Sequence, residues 1–196
     1  MHSAASHFRE FLATVSSIVD AGAGEAATLH RATDALKRLI ALDDWLPAAF
    51  AQADPDKYRQ YLLYCDARER FSVVSFVWGP GQSTPIHNHT IWGLVGILRG
   101  AEASRRYRWD GGGSLVVDGP VAILEAGSIE AVSPAIGDIH QVSNPHRDRV
   151  SISIHLYGGN IGTVRREAFQ PPRGRSTFVS GYSNRVLPNF WDERGA

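Results

Sequence analysis

Apolar residues follow two different periods along this chain. Over residues 6–20, Phe8, Phe11, Leu12, Val15, Ile18 and Val19 recur at helical spacing, and Gly22 and Gly24 follow as breakers. Over residues 25–41, Leu29, Ala32, Leu36, Leu39 and Ile40 form a second stripe. Pro47 is placed to open a short third helix through Phe50 and Ala51. Asp54-Pro55 then marks a turn before Tyr58–Tyr64, and residues 1–65 are read together as a helical N-terminal segment. From Phe71 onward the pattern becomes short β-rich runs: Phe71–Trp78, Thr90–Leu98, Ser104–Trp109, Leu115–Val117, Val121–Leu124, Ile139–Val142, Val150–Tyr157, Thr163–Phe169 and Thr177–Ser180. Glycine- and proline-bearing turns separate them, among them Gly79-Pro80-Gly81, Asp110-Gly111-Gly112-Gly113 and Asn144-Pro145. Many short, evenly spaced strands predict a sandwich or barrel. No low-complexity linker divides the two parts, so the expectation is one domain over residues 1–196, with helices packed outside a barrel at 70–180. The tail, 181–196, carries Tyr182, Leu187, Phe190 and Trp191, enough apolar surface to predict that it docks.

Composition narrows the function classes. The 196 residues are 43% hydrophobic and 20% charged, with 20 basic against 20 acidic residues. A net charge of zero argues against a nucleic-acid or membrane-surface footprint, which needs a basic excess. No apolar run reaches the length of a membrane span, and no signal-type segment opens the chain. One cysteine, Cys65, cannot form an intrachain disulfide, which points to a reducing, cytoplasmic setting. Only Lys37 and Lys57 are lysines, so a lone arginine here is weaker evidence of function than usual.

Chemistry concentrates at Pro85-Ile86-His87-Asn88-His89-Thr90. If this run is a strand, His87 and His89 project from one face and can occupy adjacent corners of a metal's coordination sphere. A second cluster lies in Val150–Tyr157, where Ser153, His155 and Tyr157 share one face and Ile152, Ile154 and Leu156 the other. A polar row facing a barrel interior must be hydrogen-bonded in series. The same row facing solvent would be an ordinary surface ladder. His2, His7, His30 and His146 are expected at the surface, and Trp78 and Trp92 in the barrel packing, with Trp92 near enough to His89 to line a pocket.

Glycine spacing around these histidines resembles the two motifs of the cupin superfamily. Gly81, His87, His89 and Gly100 match the first at all positions but one, where Gly93 replaces the acidic ligand. Pro134, Gly137, His140 and Asn144 match the second with slightly wider spacing. The resemblance implies a mainly β fold, a jelly-roll barrel with the helical segment packed on it, in which His87, His89 and His140 meet at one metal. Three neutral imidazoles leave a divalent ion's charge uncompensated, so such a centre favours an anionic ligand such as a thiolate. Histidine-only ligation also suits zinc, and the ligand set by itself leaves the metal open.

H-x-H without the glutamate, then H-x3-N, then S-x-H-x-Y, is similar to the thiol dioxygenases of the cysteine dioxygenase family, over about Tyr58 to Arg166. That resemblance implies Fe(II) on His87, His89 and His140, a small thiol and dioxygen as substrates, a sulfinate product, and Ser153, His155 and Tyr157 orienting the reactants. Two departures matter. The mammalian cysteine dioxygenase pattern has a cysteine near Gly93, cross-linked to the active-site tyrosine; Gly93 cannot form that link. That pattern also has an arginine where Gln60 stands, or Arg59 if the register shifts by one. Glutamine there, with an arginine on a later strand, resembles the bacterial 3-mercaptopropionate dioxygenases, and Arg166 fits the later arginine. A guanidinium grips a carboxylate through paired hydrogen bonds. On Thr163–Phe169, Arg166 is expected to face inward with Val164 and Ala168, opposite Arg165. The function implied is oxidation of a small mercapto-carboxylate, 3-mercaptopropionate before cysteine or mercaptosuccinate. The rivals are a zinc or manganese cupin hydrolase or isomerase, and a non-enzymatic binding cupin.

Overall fold

The computed structural model describes residues 4–171 and 174–192; His2 and the last four residues of the tail lie outside them. Helices α1 (Ala4–Asp20) and α2 (Glu25–Ile40) follow the two apolar stripes. A single 3-10 turn, Ala48–Phe50, stands where Pro47 suggested a third helix. Trp45 donates its indole N–H to the carbonyls of Leu39 (3.2 Å) and Leu42 (3.0 Å), satisfying acceptors that the end of α2 leaves open.

Among the described residues twelve strands follow: β1 (Arg59–Cys65), β2 (Ser72–Trp78), β3 (Ile86–His87), β4 (Gly93–Arg99), β5 (Ala101–Trp109), β6 (Leu115–Val117), β7 (Ala122–Glu125), β8 (Ile129–Val132), β9 (His140–Ser143), β10 (Ser151–Tyr157), β11 (Arg166–Gln170) and β12 (Gly174–Phe178). They form two antiparallel sheets. One runs β1-β2-β10-β4-β8; the other runs β12-β11-β3-β9-β5-β6, with β7 also paired to β5. This is the expected cupin jelly-roll with helices packed on it.

Strands β2 and β10 are buried along their whole length because the first sheet is covered on both faces. Val73, Val77, Leu94, Ile152, Ile154 and Leu156 join Phe8, Leu36 and the other helix stripes in one core. The alternate residues of β2 and β10 point into the barrel, where Val74, Phe76, Trp78 and Tyr157 form a second core with Ser153 and His155 among them. The polar row therefore faces the buried barrel interior.

Several boundaries differ from the sequence reading. Arg59–Cys65, grouped above with the helices, is a strand at the sheet's edge, antiparallel to β2. Its Tyr-rich sequence does not alternate, and its pairing slips at Leu62/Tyr64. The tail covers its outer edge: Ser183 and Gln60 exchange two hydrogen bonds (2.8 and 3.0 Å), and Asn184 and Leu62 exchange two more (2.8 and 2.9 Å). Phe190 then packs on Phe8, ring centres 4.1 Å apart, while Leu187 and Trp191 stay exposed. Residues 163–165 are not strand, and β8 was not foreseen. Among the described residues no helix is long and apolar enough to cross a membrane.

Candidate metal centre and active-site cavity

Strand pairing brings the histidines together. His87 on β3 lies directly opposite His140 on β9, and Ala168 of β11 flanks it on the other side. Side chains opposite one another in an antiparallel pair are near neighbours. His89 arrives differently. The strand ends at His87, so the face-sharing argument for H-x-H does not hold. Thr90 instead has φ of 61°, unusual for a β-branched residue, and this turns the chain back toward the barrel. Asp138 holds that turn: its carboxylate accepts from the amides of His89 (3.0 Å) and Thr90 (2.9 Å). The three rings then lie 4.8–5.0 Å apart, all buried, with their candidate ligand nitrogens within 4.8 Å of one another.

The outer ring nitrogens are engaged. Nδ1 of His87 donates to the Pro85 carbonyl (3.0 Å), and Nδ1 of His89 to the Asp138 carbonyl (3.1 Å). Nδ1 of His140 faces the Ser104 hydroxyl at 3.5 Å and Glu130 at 3.7 Å. Such outer partners fix tautomer and orientation and leave Nε2 as the free donor, the arrangement metal-binding histidines use. Burial, reinforced by the neighbouring His140, lowers the pKa of His87 to about 3 and depresses His89 in the same direction. Both are thus neutral at neutral pH, as ligation requires. Burial resists the charge on Glu130, but His140, Ser104 and Arg106 outweigh it and hold its pKa at about 2. An anionic carboxylate behind one imidazole, with no acid among the three, suits a divalent non-heme metal.

Facing these rings is a cavity of about 210 Å³. His155 and Tyr157 line it from β10. The row is continuous: Ser153 Oγ lies 2.8 Å from His155 Nε2, and His155 Nδ1 lies 2.7 Å from the Tyr157 hydroxyl. Trp78 donates to Ser153 (3.4 Å). Phe76 stacks on His155 at 4.1 Å and fixes the ring's plane. Burial raises the Tyr157 pKa, so the phenol stays protonated. Gly93 sits beside this phenol on β4; a Cβ there would meet the ring at 2.7 Å. The half-buried Cys65 does not line the cavity.

Arg166 opens β11 and is buried, two residues before Ala168 on the cavity face, while Arg165 is exposed in the preceding loop. One Nη donates to the Ser180 hydroxyl (2.7 Å), and the guanidinium lies 4.7 Å from the centre of the Phe178 ring. Its Nε has no partner, and no carboxylate pairs with it among the described residues. Gln60 also lines the cavity and donates to the Ser180 carbonyl (3.3 Å), whereas Arg59 turns away to Asp54. Trp78 lines the cavity and Trp92 does not. The motif's Asn144 is no candidate ligand. It is buried, and its amide spans the carbonyls of Trp78, Gly79 and Arg149 (2.9–3.2 Å), clamping two loops. Asp138, Ser180 and Phe178 escaped the sequence reading, and Tyr58, which opens the Tyr58-Arg59-Gln60 stretch, was given no role; Asp138 stands two residues before His140.

Three convergent imidazoles in a β-barrel cavity, backed by a polar row, define a metal-dependent cupin enzyme. The chain belongs to the cysteine dioxygenase type I family, whose model matches residues 5–169, and it is accordingly a thiol dioxygenase with a non-heme metal centre. It is 24% identical to cysteine dioxygenase type 1 of Bos taurus over 150 residues, 76% of this chain and 70% of that protein. To the Danio rerio protein of the same name it is 24% identical over 157 residues, 78% and 71% of the two chains. Among solved structures it is similar to a double-stranded β-helix protein of Klebsiella pneumoniae (18% identity, 58% of this chain and 87% of that one, TM-score 0.46). It is also similar to a cupin superfamily protein of Desulfitobacterium hafniense (16%, 59% and 90%, TM-score 0.45).

Two predictions follow from the histidines' surroundings. Asp138→Ala should lower metal affinity about 10- to 100-fold, measured by competition with a chelator, while far-UV circular dichroism stays unchanged. In the metal-free protein, His87, His89 and His155 all have folded-state pKa values depressed by burial. The unfolded chain therefore binds more protons below the ordinary histidine pKa of about 6.5, and stability falls with pH from there toward 3. Glu102, raised to about 7 by burial, works in the opposite sense, but three groups oppose one. The melting temperature of metal-free protein should drop between pH 7 and pH 5; a flat profile contradicts the burial of these rings.

Proposed function

We propose that this protein uses Fe(II) to oxidise a small mercapto-carboxylate, 3-mercaptopropionate before other thiols, to its sulfinate with both atoms of dioxygen. The observation that carries the substrate class is Arg166. A guanidinium removed from water without an anionic partner is costly, and this one lines the same cavity as the three histidines. Its charge acts on His87, His89, His155 and Tyr157. A carboxylate in the cavity supplies the missing anion through paired, charge-assisted hydrogen bonds.

His87, His89 and His140 are the assigned iron ligands. Iron held there supplies sites for the substrate sulfur, as thiolate, and for dioxygen. Arg166 binds the carboxylate and Gln60, tied to the same Ser180, supports that end. Tyr157, aligned by His155 and Ser153, presents its hydroxyl to the reacting end of the substrate. Phe76, Trp78, Val142 and Phe178 supply apolar wall between these groups.

The choice among thiols rests on charge. Among the described residues no Asp or Glu lines the cavity to receive the ammonium of cysteine, and Arg166 is the one guanidinium on its wall, too few for the two carboxylates of mercaptosuccinate. Bacterial 3-mercaptopropionate dioxygenases resemble this chain in having glutamine at Gln60 and arginine at Arg166.

Oxygen uptake by iron-loaded protein, measured across 3-mercaptopropionate, cysteine, cysteamine and mercaptosuccinate, should be fastest with 3-mercaptopropionate and match sulfinate formed. Arg166→Ala should raise its KM about 10- to 100-fold, the worth of a charge-assisted bond of about 1.5–3 kcal/mol. Tyr157→Phe should instead lower kcat, on the order of 100-fold. Cysteine as the best substrate, or an unchanged KM in Arg166→Ala, would overturn the carboxylate assignment. Activity with zinc and without oxygen would replace the dioxygenase reading by the hydrolase one.

A further inference from the structure

The row on β10 does not end at Ser153. Beyond it, away from the cavity, stands Glu102 of β5, fully buried. Neither of its carboxylate oxygens has a hydrogen-bond partner of good geometry among the described residues. The polar groups near enough to act on it are the Ser153 hydroxyl and the Trp78 indole, the same two that close the row. Glu130 on β8 is the other charged group that acts on it. Glu125 of β7 and Arg99 of β4 are outside the buried interior, Arg99 paired with Asp43, and His140 of β9 faces Ser104 and Glu130 instead. A buried carboxylate with no cation beside it is a group with somewhere to put a proton.

We infer that Glu102 is the terminal member of a proton relay, Tyr157–His155–Ser153–Glu102, and that it takes up the proton which the substrate thiol releases on binding as thiolate. The inference rests on the proposed thiol chemistry at this cavity. With Glu102 ionised, the Tyr157 hydroxyl donates to His155 Nδ1, His155 Nε2–H donates to Ser153, and Ser153 donates to the carboxylate. Each proton then moves one place: the Ser153 proton to Glu102, the Nε2 proton to Ser153, the phenolic proton to Nδ1, and the thiol proton to the Tyr157 oxygen. The thiol becomes a thiolate and Glu102 a carboxylic acid. Ser153, His155 and Tyr157 each keep one proton, with His155 in its other tautomer and every hydrogen bond reversed. The proton returns by the same path once the sulfinate leaves. Burial raises the pKa of Glu102 to about 7, so its carboxylate is a far better proton acceptor than an ordinary glutamate and can take the proton that binding as thiolate releases from sulfur. Glu102 acts through Ser153 and His155 without touching the substrate.

Infrared spectroscopy reads the carboxyl directly. Metal-free wild-type protein should show a protonated-carboxyl band that fades as the pH rises through about 7, absent in Glu102→Gln and shifted in Ser153→Ala. Anaerobic addition of 3-mercaptopropionate to the iron-loaded protein should increase that band in wild type and leave it unchanged in Ser153→Ala. The acid limb of the kcat/KM profile should flatten in Glu102→Gln, with its plateau lower on the order of 100-fold. A wild-type protein with no such titrating band, or a band indifferent to Ser153→Ala, overturns the relay. Thiol binding seen by calorimetry without growth of the band also overturns it. No binding of any thiol, with the metal-free titration and its Ser153 dependence intact, refutes the thiol reading and leaves Glu102 joined to the row.

Discussion

Desolvation governs this structure. The first sheet has helices on one face and the barrel interior on the other, so its central strands β2 and β10 are buried from end to end. An imidazole, phenol or hydroxyl placed there persists only with a partner for each polar atom. The interior meets that demand group by group: carbonyls for the outer nitrogens of His87 and His89, Glu130 and Ser104 behind His140, and a closed series from Tyr157 to Trp78. Around the barrel interior two groups among the described residues break the rule, Nε of Arg166 and the carboxylate of Glu102. Unsatisfied buried groups of this kind mark where a protein expects something else to arrive. Under the proposed function one receives the substrate's carboxylate and the other, by the relay proposed above, its thiol proton.

Rigidity follows from the same source. His155 is held at both ring nitrogens and stacked on Phe76, and Tyr157 is wedged against Gly93, whose missing side chain makes room for the phenol. His89, left outside any strand, depends on Asp138 for its turn. The centre is thus built partly from sheet register, which places His87 against His140, and partly from one strained turn held by a carboxylate.

Much of this was legible in the residues. Period-two alternation put Ser153, His155 and Tyr157 on one face, and the helical stripes of α1 and α2 lie where the apolar spacing puts them. The motifs singled out His87, His89 and His140, and the family resemblance Arg166, and those four line one cavity. What escaped has physical causes. Strand β1 is an irregular, half-buried edge with no alternation to read. Strand β3 is two residues long, too short for any periodic signal, so H-x-H looked like strand throughout. Glu102 follows a glycine turn and precedes a run of arginines, where a carboxylate reads as solvated; only sheet packing shows that it points inward. Phe178 stands opposite Arg166 across the β11–β12 pair and Ser180 follows two residues on, a register that the polar, largely exposed β12 does not advertise in sequence.

The most direct measurement is a crystal structure of the iron-loaded protein with 3-mercaptopropionate, grown without oxygen. The account predicts the sulfur at the metal held by His87, His89 and His140, and the carboxylate on Arg166 with its Nε engaged. A carboxylate bound at the metal or turned toward the mouth, with Arg166 Nε still unpartnered, would contradict it.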